Sequence, residues 1–192
     1  ESTTSTYKYC FVNHYLVLLV LDTMFETIIK SQTRQKLLIK FFVNIANTGY
    51  LNQLADEFSE STNSVRKELN NLTQAKYLNK KMVKNKVIYR ANTNHPLFKD
   101  LQSIVKKYLG IEDLVEAVLE RMGSVNQIYL LGDFARGINS NQIDILIVGK
   151  NLNTDYISDL EIKLERILKK KVVIISSSNS DLKIYKLLVF SN

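Results

Sequence analysis

The sequence predicts an α+β protein of two unlike halves, and three observations carry that reading. Apolar residues recur at three- and four-residue spacing between residues 33 and 75, and again between 97 and 122, which is the period of amphipathic helices. Asn126-Gln-Ile-Tyr-Leu-Leu131 reads as a buried strand. A turn and second strand over 138–148, a helix and an apolar run follow it. Charge is also divided: residues 24–110 hold 15 Lys/Arg and 6 Asp/Glu, whereas residues 111–192 hold 10 and 11.

The chain of 192 residues is long enough for two small cores, and its 45% apolar content is that of a globular protein. Residues 1–23 carry one cation and two anions, so the net charge of +7 is concentrated between residues 24 and 110. A field localised in this way points to a polyanionic partner for that segment. One cysteine, Cys10, rules out a disulfide within the chain and reads as a bystander thiol. With only His14 and His95 beside it, a zinc site built from such ligands is excluded.

Residues 1–30 read as an N-terminal extension. Its apolar run, Tyr15–Leu21, is seven residues long and is closed by Asp22. A membrane span needs about 20 apolar residues. A signal peptide would need a basic start and a small-residue cleavage site. The expectation is therefore a cytoplasmic protein without a membrane partner. The run is read as a strand or an added helix, or residues 1–23 lie upstream of a start at Met24.

Within the basic segment, Leu37, Leu38, Phe41 and Phe42 share one helical face. Asn47-Thr48-Gly49 breaks that helix. Leu51, Leu54, Ala55 and Phe58 then repeat at i, i+3, i+4 and i+7, and a turn at 59–61 follows. In the third segment, from Thr62 to Ala75, Val65, Leu69 and Leu72 face a core, with Ser61 or Thr62 as N-cap. Its other face offers Thr62, Asn63, Ser64, Arg66, Lys67, Asn70 and Asn71, side chains that can reach phosphates and base edges in a major groove. Residues 76–90 hold six cations and no anion. Tyr77-Leu78 and Val87-Ile88-Tyr89 have strand character around Lys84-Asn85-Lys86, so the segment reads as a hairpin with a basic tip.

Two helices, a third that reads DNA and a basic hairpin make a winged helix-turn-helix over residues 31–92. Leu51-Asn-Gln-Leu-Ala-Asp-Glu-Phe58, Ser61 to Leu72 and Tyr89-Arg-Ala-Asn92 resemble winged-helix repressors of the arsenic-repressor type. The resemblance implies a transcriptional regulator that binds double-stranded DNA as a homodimer. It implies contacts from Thr62, Asn63, Ser64, Arg66, Lys67 and Asn70, and from Lys80, Lys81, Lys84, Lys86 and Arg90 of the wing. The Cys/His metal-sensing clusters of some relatives are absent from the sequence.

Residues 93–123 read as connector helices. Leu97, Leu101, Ile104, Val105, Tyr108 and Leu109 share a face that suits dimerisation, Pro96 fits the first helical turn, and Gly110 separates a second helix.

In residues 124–192, Gly132-Asp-Phe-Ala-Arg-Gly137 and Asn141-Gln-Ile-Asp144 are similar to the minimal nucleotidyltransferases of the polymerase-beta superfamily. That family carries Gly-Ser-x-Ala-Arg-Gly followed by Ser-Asp-x-Asp. Its carboxylates hold two magnesium ions on the nucleotide phosphates. Here Gly132, Ala135, Arg136 and Gly137 match. Asp133 replaces the serine, Gln142 replaces one carboxylate, Asp144 remains, and Lys171–Ser176 offers no acid. The resemblance therefore implies a nucleotidyltransferase-like fold with a vestigial nucleotide loop (Gly132, Asp133, Arg136, Gly137, Asp144), no catalytic residue and no cofactor. The alternative is an active nucleotidyltransferase that uses Mg²⁺ and a nucleoside triphosphate on a protein or RNA. The whole chain is expected to be a winged helix-turn-helix beside a small mixed sheet with flanking helices.

Overall fold

The computed structural model describes residues 25–180 and 184–192. The run Tyr15–Leu21, Cys10 and His14 lie outside the described residues. The protein is α+β, with two small sheets.

Helix α1 spans Gln32–Val43 and starts where Ser31 Oγ accepts from the Arg34 amide at 3.2 Å. Leu37, Leu38, Phe41 and Phe42 are all buried along it. Strand β1 (Thr48–Tyr50) follows, then α2 (Leu51–Phe58), which buries Leu54, Ala55 and Phe58 and stops at Ser59 in the left-handed region. Helix α3 spans Thr62–Gln74. Its N-cap is Ser61, whose Oγ accepts from the Ser64 amide at 3.1 Å, satisfying a donor that the first turn leaves open. Val65, Leu69 and Leu72 point inward, and Glu68 is buried among them.

Strands β2 (Leu78–Val83) and β3 (Lys86–Ala91) pair antiparallel, with Val83 opposite Lys86, and β1 lies on the other side of β3. The two-residue turn is Lys84–Asn85, at φ 43° and 62°. Two left-handed residues give the turn the twist of the strands it joins.

Helix α4 (Phe98–Tyr108) and helix α5 (Ile111–Arg121) meet at Gly110. Pro96 lies in the turn before α4, not in its first helical turn, because His95 Nδ1 accepts from the Leu97 amide and delays the helix. The expected apolar face is also rotated. Phe98 packs on Phe42 with ring centroids 5.4 Å apart, which turns Leu97 and Ile104 outward to 52% and 49% exposure.

The second sheet has the order β6-β5-β4-β7. Its strands are β4 (Ser124–Leu131), β5 (Gln142–Lys150), β6 (Lys171–Ser177) and β7 (Lys186–Ser191). Strand β4 is antiparallel to β5 and β7, while β5 and β6 are parallel and joined through α7 (Ile157–Leu168). A four-residue helix, α6 (Gly132–Ala135), follows β4. Ile128, Leu130, Ile143, Ile145 and Val172 face the core that α5 and α7 cover. Tyr129, Leu131, Leu146 and Val148 form a separate cluster on the opposite face. Among the described residues no helix is long and apolar enough to cross a membrane.

Candidate nucleic-acid interface and the glycine loop

On α3, Thr62, Asn63, Arg66, Lys67 and Asn70 are exposed. Arg66 Nη1 donates to Asn63 Oδ1 at 3.4 Å, holding two of the candidate readers together on one turn. Ser64 is half-buried. Its hydroxyl oxygen accepts from the Ser61 hydroxyl at 3.0 Å, so it belongs to the cap as much as to the exposed face.

The hairpin divides the candidate cations. Directly paired residues share a face of a sheet, and neighbours along a strand alternate. Leu78 and Ala91 are paired and buried, so Lys80, opposite buried Tyr89, belongs to the inward face. Lys81, Lys86 and Arg90 belong to the outward one, and Lys84 sits at the turn. Tyr50 shares the outward face and lies under Lys86, whose Nζ is 4.6 Å from the ring centroid. The sequence reading missed Tyr50, although a tyrosine just ahead of the second helix was visible.

Three of the six acids between residues 24 and 110 are committed to α1. Arg34 Nε pairs with Glu68 at 2.7 Å, Lys36 with Glu60 at 2.8 Å and Lys40 with Glu57 at 2.6 Å. Three cations of α1 thereby take up a carboxylate from α3, one from the turn before it and one from α2. Among the described residues, no carboxylate lies within salt-bridge distance of Arg66, Lys67, Lys80, Lys81, Lys84, Lys86 or Arg90. Positive charge is therefore internally compensated along α1 and uncompensated on α3 and the hairpin. Burial alone would raise the Glu68 carboxyl. Hydrogen bonds from Arg34, Ser31 and Asn71, together with the Arg34 charge, outweigh that and hold it below its ordinary value of 4.5.

In the second half, Gly132 opens the short α6 at φ 57°, beside the Asp144 carboxylate: a Cβ placed there would sit 3.1 Å from Oδ2. Gln142 Nε2 donates to Asp144 Oδ1 at 2.7 Å, and Asp133 and Arg136 are exposed. One carboxylate and one amide that donates into it do not match the anionic clamp two magnesium ions require.

The far end of this loop has a different use. Asn44 Nδ2 donates to the Ala135 carbonyl at 3.0 Å, and Asn47 Nδ2 donates to the carbonyls of Arg136 at 2.8 Å and Lys40 at 2.7 Å. The Tyr185 hydroxyl donates to Asn47 Oδ1 at 3.0 Å and accepts from Asn44 Nδ2 at 3.2 Å. Gly137 is buried at φ 73°, where a Cβ would lie 2.7 Å from both Cα and the carbonyl oxygen of Lys40. The glycine loop is thus fastened to the C-terminal end of α1. A cavity of about 310 Å³ lies beside this junction, between α1, α2, Tyr108 and residues 137–139.

No protein-family model matches the chain, and no curated protein matches it. Among solved structures it is similar to a chain of a toxin–antitoxin structure with AMP-PNP, at 19% identity and TM-score 0.39, over 44% of this chain and 75% of that one. A mutant of the toxin–antitoxin MntA–HpeT matches at 17% identity and TM-score 0.38, over 43% of this chain and 73% of that one. Human N-acetylserotonin methyltransferase with SAM matches at 16% identity and TM-score 0.28, over 62% of this chain and 35% of that one.

Proposed function

We propose that residues 31–92 are a winged helix-turn-helix that binds double-stranded DNA, and that the protein is a transcriptional regulator. In this reading α3 enters the major groove, with Asn63, Arg66 and Asn70 at base edges. Lys81, Lys84, Lys86 and Arg90 of the hairpin lie against phosphates. Residues 124–192 are a nucleotidyltransferase-like domain without catalysis, fastened to the DNA-reading half through the glycine loop. Residues 93–123 join the two and offer Leu97 and Ile104 to a second copy, giving a homodimer on a pseudo-palindromic site.

The observation that carries the reading is the pairing pattern. An ordinary solvated surface mixes signs, whereas here Glu57, Glu60 and Glu68 sit on α1's cations and the cations of α3 and the hairpin are left uncompensated. The test is a fluorescence-anisotropy titration with a duplex selected from a random-sequence pool, repeated over a series of salt concentrations. Binding should weaken steeply with salt, because each neutralised phosphate releases counterions. The doubly substituted Arg66→Ala, Lys84→Ala protein should bind at least tenfold more weakly. Binding that is indifferent to salt, or that survives the double substitution unchanged, overturns the proposal.

A further inference from the structure

The tip of the β2–β3 hairpin is built against the usual rule for a solvated turn. Met82 is 65% exposed and Val83 39% exposed, two large apolar side chains in a stretch otherwise made of Lys80, Lys81, Lys84, Asn85 and Lys86. They occupy opposite faces of the ribbon, since Met82 is opposite Val87 and Val83 opposite Lys86. Neither joins the core: Met82 has the same facing as buried Leu78 yet stays exposed, although its cross-strand partner Val87 packs against the core. The turn between the strands has φ 43° and 62°, and the ladder stays paired up to Val83 and Lys86, so the tip projects as a firm, narrow ribbon.

We propose that this tip enters the DNA minor groove and that Met82 is an unstacking wedge, seated between two base pairs at a deformable step. The inference rests on the DNA-binding reading above and goes further, naming a bend and the residue that makes it. The chemistry fits on three counts. The minor groove is only about 6 Å wide, too narrow for a helix or for the body of the ribbon, so only the turn and the side chains beside it can enter. Lys81, Lys84 and Lys86 around the tip are placed for the phosphate walls of the groove. An unbranched thioether side chain is thin, flexible and apolar, the character of the side chains that architectural proteins insert between bases. Pyrimidine–purine steps open most easily, so the protein should prefer such a step where the tip falls, without any hydrogen bond to those bases.

The experiment uses the full chain and the selected duplex. It measures the bend by energy transfer between dyes on the duplex ends, and unstacking by 2-aminopurine placed in turn at each step flanking the α3 site. Wild-type protein should bend the duplex by roughly 20–90° and raise the 2-aminopurine signal at one step. Met82→Ser should abolish that signal and most of the bend while changing affinity only a few-fold, and Met82→Leu should keep both. Because Met82 is exposed, neither variant threatens the fold, which circular dichroism checks. A duplex bound tightly yet straight, or a bend that Met82→Ser leaves intact, overturns the wedge alone. Failure of the wild type to bind any duplex overturns the wedge together with the DNA-binding reading.

Discussion

The Asn47 amide and the Arg136 carbonyl, 2.8 Å apart, join the end of α1 to the loop after β4 across 89 residues of sequence. The same Asn47 Nδ2 donates to Lys40, and its Oδ1 accepts from Tyr185. Both of its side-chain polar atoms are therefore spent inside the protein, where a lost partner leaves an unsatisfied group. Asn47→Ala strips a donor from two carbonyls and should lower stability by roughly 2–3 kcal/mol. Asn47→Asp should be at least as harmful, because a carboxylate would face those two carbonyl oxygens. Urea unfolding of the two variants measures this. A loss under about 0.5 kcal/mol for Asn47→Ala would mean that these bonds do not hold the junction.

Gly137 gives a second handle on the junction. Its φ of 73° disfavours any side chain, and an added Cβ would stand 2.7 Å from Lys40 backbone atoms that cannot swing away. Gly132 has a similar φ of 57°, but its added Cβ would meet only the tip of Asp144 at 3.1 Å. Left-handed strain alone costs about 1–2 kcal/mol, so Gly132→Ala should lose about that much. Gly137→Ala should lose more, because α1 must also move. Thermal unfolding of the pair isolates the clash from the strain, and equal losses would argue against tight seating on α1.

The helices were legible because their apolar spacing is regular: Leu37, Leu38, Phe41 and Phe42 in one, Val65, Leu69 and Leu72 in another, all buried. The hairpin was legible from its strand residues and cations, although its turn is Lys84–Asn85 alone and Lys86 is already paired in the ladder. Strand β7 was not legible. Residues 187–190 form an unbroken apolar run at a sheet edge without alternation, and the Ser/Asn/Asp cluster that signals a turn ends at Asp181, well ahead of it. The fastening of the glycine loop was hidden for another reason. Tyr185 meets Asn47 across 138 residues, and spacing within a segment carries no trace of a partner so far away. Glu68 was likewise invisible, since a buried carboxylate looks like any polar residue until Arg34 is seen beside it.

That carboxylate sets a pH dependence. Glu68 titrates below 4.5 in the folded protein and ordinarily once unfolded. The unfolded state therefore binds the proton more readily. The stabilisation is fully present above 4.5 and is lost as pH falls below it, through the folded value. Urea unfolding between pH 6 and 3 should show this acid limb, and Glu68→Gln should flatten it while lowering stability at neutral pH. A Glu68→Gln protein whose acid limb matches the wild type would place the sensitivity in other carboxylates.

The two faces of the hairpin should separate in the salt dependence of DNA binding. A cation that neutralises one phosphate contributes a slope of about −0.9 in log K against log salt. Lys81, Lys86 and Arg90 share the outward face, whereas Lys80 lies on the inward one. If the outward face tracks the backbone, Lys81→Ala and Arg90→Ala should each make the slope shallower by nearly one, while Lys80→Ala changes it less. All three should weaken every duplex alike, because phosphates carry no sequence. Arg66→Ala and Asn70→Ala, by contrast, should erode the preference for the selected duplex over a scrambled one. Lys86→Ala is the informative exception. It removes a phosphate contact and also uncovers Tyr50, whose ring lies 4.6 Å beneath the ammonium. Its affinity loss should therefore exceed that of Lys81→Ala at equal change in slope, and Lys86→Arg, which keeps charge and stacking, should restore both.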